Sequence, residues 1–439
     1  MHADLTQGTI RHNIMKLAIP AIIGYFFHTL FNVTDTFFAG LISTQALAAL
    51  SLSSSVFFMI LALGIGMSEA VTSLVGNALG KQQIEQARHI ALNAMVFALL
   101  LSITLSVVGV ICVPFLVDAL ADPSYTKIAL EYIYLILYGT LFFMGAFFSN
   151  ALLNATGDTV SFRNILIFTS LLNIVLDYLC IYLLDMGVYG IAMATIVSEA
   201  IVFGYLFMKV RKTQLWSGFG SFRYDPTLMR EILTQGLPPS INMFMIAFGM
   251  YIITYFIAPF GKEAVAGLGI GMRIEQIFLL PVIGISVATL AIISQNNGAQ
   301  RYERIRPTIR LTILYGWMIS TVGVLSFFLF ANYFASLLTA DTNVVAQTTL
   351  YLRVCGLASY AFVVIFVSIS MLQGIKQPAV VIPVSIYRQV LAPIPVFALL
   401  AWLDMDIIAF WIGIDVIVFS SALFLWWYGE KTLATLPRE

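Results

Sequence analysis

Phe31-Asn32-Val33-Thr34-Asp35-Thr36-Phe37-Phe38 closes an apolar run that begins near Ile14 and is interrupted once, at Pro20. About 20 predominantly apolar residues are enough for a helix to cross about 30 Å of hydrocarbon. Asp35 is therefore expected inside a bilayer. Even mild scales put a charge at the bilayer centre at about 2.5–3.5 kcal/mol unfavourable, so an intramembrane acid is a functional candidate by default. The alternative at this stage is a structural acid hydrogen-bonded between helices.

The rest of the chain has the same character. Its 439 residues are 60% hydrophobic and only 10% charged, against about 25% charged in soluble domains. Lys plus Arg and Asp plus Glu balance at 22 each, which leaves no basis for nucleic-acid binding. Cys112, Cys180 and Cys355 form no CxxC pair and read as small apolar filler. The four histidines show no ligand spacing, so neither a metal nor a cofactor is expected. The first apolar run lacks the short core and cleavage site of a signal peptide and is expected to stay as a helix. No nucleophile–base set, HExxH or Walker loop occurs, so an enzyme is not expected and any pumping must draw on an ion gradient.

Twelve runs have membrane-spanning length: 14–39, 47–76, 89–117, 126–153, 162–184, 187–208, 231–259, 265–295, 309–338, 346–373, 379–403 and 406–428. Seventeen of the 22 basic residues, from Arg11 to Arg438, fall on one side, and only Lys127 and Lys262 on the other. By the positive-inside rule both termini are cytoplasmic. The basic stretch 209–230 reads as a linker between two lobes, 1–208 and 231–439, of six spans each.

The lobes repeat. A shift of 219 pairs Pro20 with Pro239, Phe37-Phe38-Ala39 with Phe256-Ile257-Ala258, and Leu153-Asn154-Ala155 with Leu372-Gln373-Gly374. A shift of 220 pairs Asn77 to Lys81 with Asn297 to Arg301. Parallel repeats of this kind are related by an axis along the membrane normal, and transporters place substrate sites at the repeat interface. In this frame Asp35 faces Thr254, so the acid belongs to the first lobe alone.

A second polar stretch, Ser170 to Tyr178 in the fifth span, places Asn173 and Asp177 on one helix face, four residues apart. The sixth span brings Thr195 to a similar depth. Two nearby carboxylates in low dielectric cannot both ionise cheaply, so such a pair can carry a proton near neutral pH. Three unrelated, locally satisfied polar groups are the alternative. Tyr132 and Tyr134 reach this level or serve as interface aromatics. Asn150 lies deeper and suits a helix–helix hydrogen bond. In the second lobe Arg273, Glu275, Arg353, Arg388 and Asp415 are expected to satisfy one another as a charge network, with a second cation or substrate site as the alternative. Glu69 is expected near an interface, and Glu199 has no assignment. Pro20 removes a backbone hydrogen bond and marks either a hinge or a static kink.

Together with Pro20, the motifs Asn32 to Gly40, Asn154 to Thr159, Asn173 to Asp177 and Gly187 to Thr195 resemble those of multidrug and toxic compound extrusion (MATE) transporters, most closely the DinF-like branch. That resemblance implies an all-α polytopic membrane protein with twelve transmembrane helices in two six-helix lobes, related by pseudo-two-fold symmetry around a cleft. It implies a monomeric antiporter of the bacterial inner membrane, exporting lipophilic or cationic drugs and toxic metabolites against inward H+. Asp35 matches the coupling acid of that branch, with Asn173, Asp177 and Thr195 at the matching network positions and Asn150 at a polar cavity position; on the reading of the residues themselves Asp35 and Asp177 are the expected proton-binding pair, and Asn32 and Tyr132 are further candidates for the substrate cavity. Na+ on the same oxygens stays open. So does a lipid-linked oligosaccharide flippase, although that would be expected to carry basic residues in the first-lobe spans. The NorM-like branch has acids in spans seven and ten; Thr254 and Arg353 stand there instead, so a Na+ site of that type is not expected. Asn154 departs from the family's usual basic residue.

Overall fold

The structure, a computed structural model, describes residues 4–120, 122–218, 220 and 222–436; Arg438 lies outside them. Among the described residues every regular element is helical. In hydrocarbon no water satisfies backbone N–H and C=O groups, so a spanning segment must satisfy them internally.

The long helices are α1 (Ile10–Ile42), α2 (Thr44–Gly80) and α3 (Ile84–Leu120), then α4 (Thr126–Tyr138) and α5 (Thr140–Ala155). They continue with α6 (Val160–Tyr178), α7 (Gly187–Arg211), α8 (Pro226–Ile257), α9 (Lys262–Gly298) and α10 (Ile305–Ser336). The remainder are α11 (Thr342–Cys355), α12 (Ala358–Gly374), α13 (Val381–Ile386), α14 (Pro393–Trp402) and α15 (Ile407–Ala434). Ten segments are singly long and apolar enough to cross a membrane. The other two expected spans are bent pairs: α4 and α5 meet at 46°, α11 and α12 at 54°. Gly139 sits at the first bend, and Gly356 at the second. Two spans also widen locally, into π-helical turns at Leu179–Leu183 and Tyr387–Leu391.

The connections repeat with the frame found in the sequence. Left-handed residues occur at Gln82 and Gln300 (φ 60° and 59°), at Gly157 and Lys376 (81° and 63°), and at Asp185 and Asp404 (51° and 52°). Each pair lies one repeat apart. The two halves of the chain therefore reverse direction with the same turn chemistry, although five of the six residues are neither Gly nor Asn.

Two compact units result. Among the described residues one holds Ile23–Ser240 with residues 4–7; the other holds Gly8–Ile22 with residues 241–436. This division differs from 1–208, 209–230 and 231–439 in two ways. The linker belongs to the first unit, and each lobe's first helix changes units part-way. In the first unit α5 packs on α2, α3 and α7; in the second α9 packs on α10, α11 and α12. Glycines make the exchanged segments fit. A Cβ on Gly66 would stand 2.5 Å from Ser240 N, and one on Gly236 would stand 2.7 Å from Met67 Cα, inside the first unit. A Cβ on Gly284 would meet Ile22 N at 2.8 Å inside the second. Small residues are what let membrane helices approach this closely.

The linker is tied to α3. Arg88 Nε donates to Gln214 O (2.7 Å) and Asn93 Nδ2 to Arg223 O (3.0 Å). His89 Nε2 lies 3.3 Å from Asp225 Oδ2, while Asp225 Oδ1 accepts from Thr227 N and Leu228 N at the start of α8. The Leu228 N–H first, and then the His89 contact, hold the Asp225 carboxyl below its ordinary value. A carboxylate with a lowered folded-state value stabilises above its unfolded value and ceases to do so as pH falls through the folded one. Asp225→Asn should therefore lower the melting temperature at pH 7, and the gap to wild type should close as pH falls below the ordinary Asp value of about 3.9 and through the lower folded-state one. Thermal unfolding followed by intrinsic fluorescence across that range checks this; an equal gap at every pH would remove the carboxylate from the explanation.

Candidate functional site

Four helices of the first unit converge on Asp35. Thr195 on α7 lies with its Oγ1 2.8 Å from Asp35 Oδ2 and 2.9 Å from Ile191 O. Asn173 and Asp177, one turn apart on α6, stand beside Asp35. Tyr132 on α4 faces Thr195 and is within Coulombic reach of both aspartates. Below them Ser170 Oγ donates to Phe27 O at 2.7 Å, which fixes α6 against α1 two helical turns from Asp35. Asp35, Asn173, Asp177, Thr195 and Tyr132 are all more than nine-tenths buried.

The cluster is rich in unused hydrogen-bonding capacity. Asp35 Oδ1, both Asp177 oxygens, and Asn173 Oδ1 and Nδ2 are buried and make no well-aligned hydrogen bond among the described residues, although the Asn173 and Asp177 side chains stand within hydrogen-bonding range of the Asp35 carboxyl. Buried polar atoms are normally paired, and leaving one unpaired costs about 1–3 kcal/mol. Five such atoms in one place mark a site shaped for something other than stability. No basic side chain forms an ion pair with either aspartate among the described residues. Such an arrangement can take up a proton or a small cation.

Glu199, which the sequence left without assignment, lies within Coulombic reach of Asp35. It sits four residues beyond Thr195 on α7, and that i,i+4 spacing was a usable signal. Tyr25 likewise lies within reach of Glu69. The other expected site residues are placed elsewhere. Asn32 is half-buried, and its Nδ2 returns to His28 O of its own helix at 2.8 Å. Asn150 is buried on α5, and its Oδ1 has no hydrogen-bond partner among the described residues. Tyr134 is half-buried. Pro20 is buried within a continuous α1, two residues before the helix passes from one unit to the other.

The second unit departs from expectation. Arg273, Glu275, Arg353, Arg388 and Asp415 do not form a network of paired charges: no ion pair joins any of them among the described residues. Arg273 and Arg353 are exposed. Glu275 instead accepts from Tyr351 Oη at 2.7 Å, with Asp415 in Coulombic reach. Arg388 donates to Asn242 at 3.0 Å. Helical phase explains the difference: residues at mid-depth on five spans meet only if every span turns the right face inward. Arg273 and Glu275, two apart on one helix, point to different sides.

Among the described residues the helices supply up to twelve candidate membrane spans, with a cluster of buried acids inside the first unit. The chain belongs to the MatE family, whose pattern matches residues 20–179 and again 238–398. A relative from Thermotoga maritima, named probable multidrug resistance protein NorM, is 29% identical over 98% of this chain and 95% of its own. One from Shewanella oneidensis, named FAD transporter, is 26% identical over 91% and 90%. Among solved structures, the outward-facing conformation of a multidrug resistance MATE family transporter of the MOP superfamily superposes with a TM-score of 0.94 at 24% identity. It covers 99% of this chain and 98% of that one.

Proposed function

We propose that this transporter is a proton-coupled exporter of lipophilic, cationic compounds in the bacterial inner membrane, with both termini in the cytoplasm. The drug-resistance name of the Thermotoga relative supports the substrate class, and the basic bias of one set of loops supports the orientation.

The observation that carries proton coupling is the Thr195 hydroxyl. It has one hydrogen and two acceptors in range, Asp35 Oδ2 and Ile191 O. With Asp35 ionised the hydrogen can serve only one of them. A proton on Asp35 resolves this: Asp35 donates to Thr195, and Thr195 donates to Ile191. Protonation and hydrogen-bond satisfaction are thus linked at one atom. Asp177 shares the load, because two adjacent buried carboxylates ionise together only at high cost. A proton entering from outside removes negative charge from the cluster, and a bound cation loses the attraction that held it. The accompanying movement is a bend of α1 at Pro20, where the helix lacks one backbone hydrogen bond. Only a difference in affinity between two states can drive such a shift.

A second reading has Na+ as the coupling ion, favoured by the unpartnered oxygens of Asp35, Asn173 and Asp177, which suit a hard cation. Efflux of rhodamine 6G from proteoliposomes separates the two. Transport driven by a pH gradient in Na+-free buffer is the expected result. A strict requirement for a Na+ gradient would move the assignment to Na+, and no transport under either gradient would overturn the exporter reading.

A further inference from the structure

Arg388 stands near the middle of the Pro378–Trp402 span, in the π-helical turn Tyr387–Leu391 of the second unit. It is more than nine-tenths buried. No carboxylate pairs with it among the described residues. Its Nη2 donates to Asn242 Oδ1 at 3.0 Å, its guanidinium lies 5.9 Å from the Phe362 ring centroid, and its Nε has no partner. A guanidinium carries five N–H donors in a planar fork and keeps its charge. One neutral amide and an aromatic face leave most of that capacity unused, and no anion balances the charge among the described residues.

The surroundings extend the donor set. Ser385 Oγ lies 2.8 Å from the same Asn242 Oδ1 and 2.7 Å from Val381 O. Two donors on Oδ1 fix the orientation of the Asn242 amide, which leaves its Nδ2 as a further donor. Ser385 has one hydrogen for two acceptors, so it can turn. Arginine, amide and hydroxyl are the groups that bind carboxylate and phosphate oxygens. A repeat apart, Arg388, Ser385 and Asn242 face Thr169, Leu166 and Ile23. The constellation is therefore no remnant of a shared scaffold. It belongs to the second unit as the acid cluster belongs to the first, and π-turns recur at functional sites.

We infer that Arg388, Asn242 and Ser385 form an anion-binding subsite that receives a carboxylate or phosphate group of the transported molecule. At mid-span the phosphates of the surrounding lipid do not reach it, so the anion arrives on cargo. Zwitterionic and amphipathic anionic compounds thereby join the cations as substrates. This rests on the exporter assignment only in calling the ligand cargo; the subsite itself is a statement about binding.

Equilibrium binding tests it without any gradient. Purified protein in detergent is titrated at pH 8 into fluorescein, a xanthene carboxylate, and into rhodamine 6G, a xanthene cation of similar size, with anisotropy as the readout. Wild type is expected to bind both. Arg388→Gln should lower the fluorescein-to-rhodamine affinity ratio at least tenfold, and Arg388→Lys, which keeps the charge but not the fork, should lower it less. Only variants that elute as wild type in size exclusion are scored. No binding of fluorescein by wild type, or an unchanged ratio in Arg388→Gln, would overturn the subsite. Loss of proton coupling in the efflux assay would leave this result untouched.

Discussion

Asp35→Asn is expected to lower pH-gradient-driven efflux of rhodamine 6G at least tenfold while the protein folds and elutes as wild type. The substitution changes almost no volume, and the amide Nδ2 can donate to Thr195 Oγ1 as the protonated carboxyl does. What is lost is the exchangeable proton. An asparagine resembles the protonated aspartate permanently, so the cluster cannot alternate between a charged state that holds a cation and a neutral state that releases it. Coupled transport needs both. Removing a buried carboxylate beside Asp177 also relieves repulsion, so the melting temperature should hold or rise. Efflux from proteoliposomes alongside a thermal scan measures the two effects together. Wild-type efflux in this variant would take Asp35 out of the mechanism, and a collapse in stability would return it to the structural role considered at the outset.

Gly66→Leu is expected to have the largest effect on folding. Even a methyl group at Gly66 would come within 2.5 Å of Ser240 N and 2.8 Å of Ser240 Cα. Those are backbone atoms of α8 and cannot rotate aside as a long side chain would. The helices must separate, and with them the Gly236 contact on Met67. Overpacking of a close contact costs about 1–3 kcal/mol, occasionally more. With a scaling of about 2–4 °C per kcal/mol, that of folded units of about 150–250 residues, Gly66→Ala should lower the melting temperature by about 5 °C, and Gly66→Leu should prevent recovery of monodisperse protein. Gly40→Ala and Gly204→Ala serve as controls, since nothing lies within 4 Å of a Cβ at either. An unchanged melting temperature for Gly66→Ala would mean that α2 and α8 do not approach this closely in the membrane.

Much of the architecture is local information. Each crossing segment is about 20 apolar residues long, so all twelve runs could be found without knowing which helix touches which. The repeat was legible for a related reason. Pro20 and Pro239, and the helix ends near Gly80 and Gly298, are small punctuating residues whose spacing survives when the apolar filling does not. Asp35, Asn173, Asp177 and Thr195 stood out because a polar group in hydrocarbon is costly enough to be noticed one residue at a time.

Which polar groups meet is a different kind of fact. It depends on the rotation of each helix about its axis, and one residue of slip turns a side chain by about 100°, given 3.6 residues per turn. The first-unit acids converge, whereas Arg273, Arg353 and Arg388 do not pair with Glu275 and Asp415, though all five had comparable depth. The exchange of first helices between units was equally invisible. Gly66 and Gly284 are ordinary residues in apolar runs until Ser240 and Ile22 are seen against them. By itself the chain therefore determined its spans, its duplication and a short list of costly residues, since each of these is a property of one segment in hydrocarbon. The tertiary structure alone decided that the Thr195 hydroxyl stands between Asp35 and its own helix, and that no carboxylate pairs with Arg388 among the described residues, because both follow from which helix faces are turned toward each other.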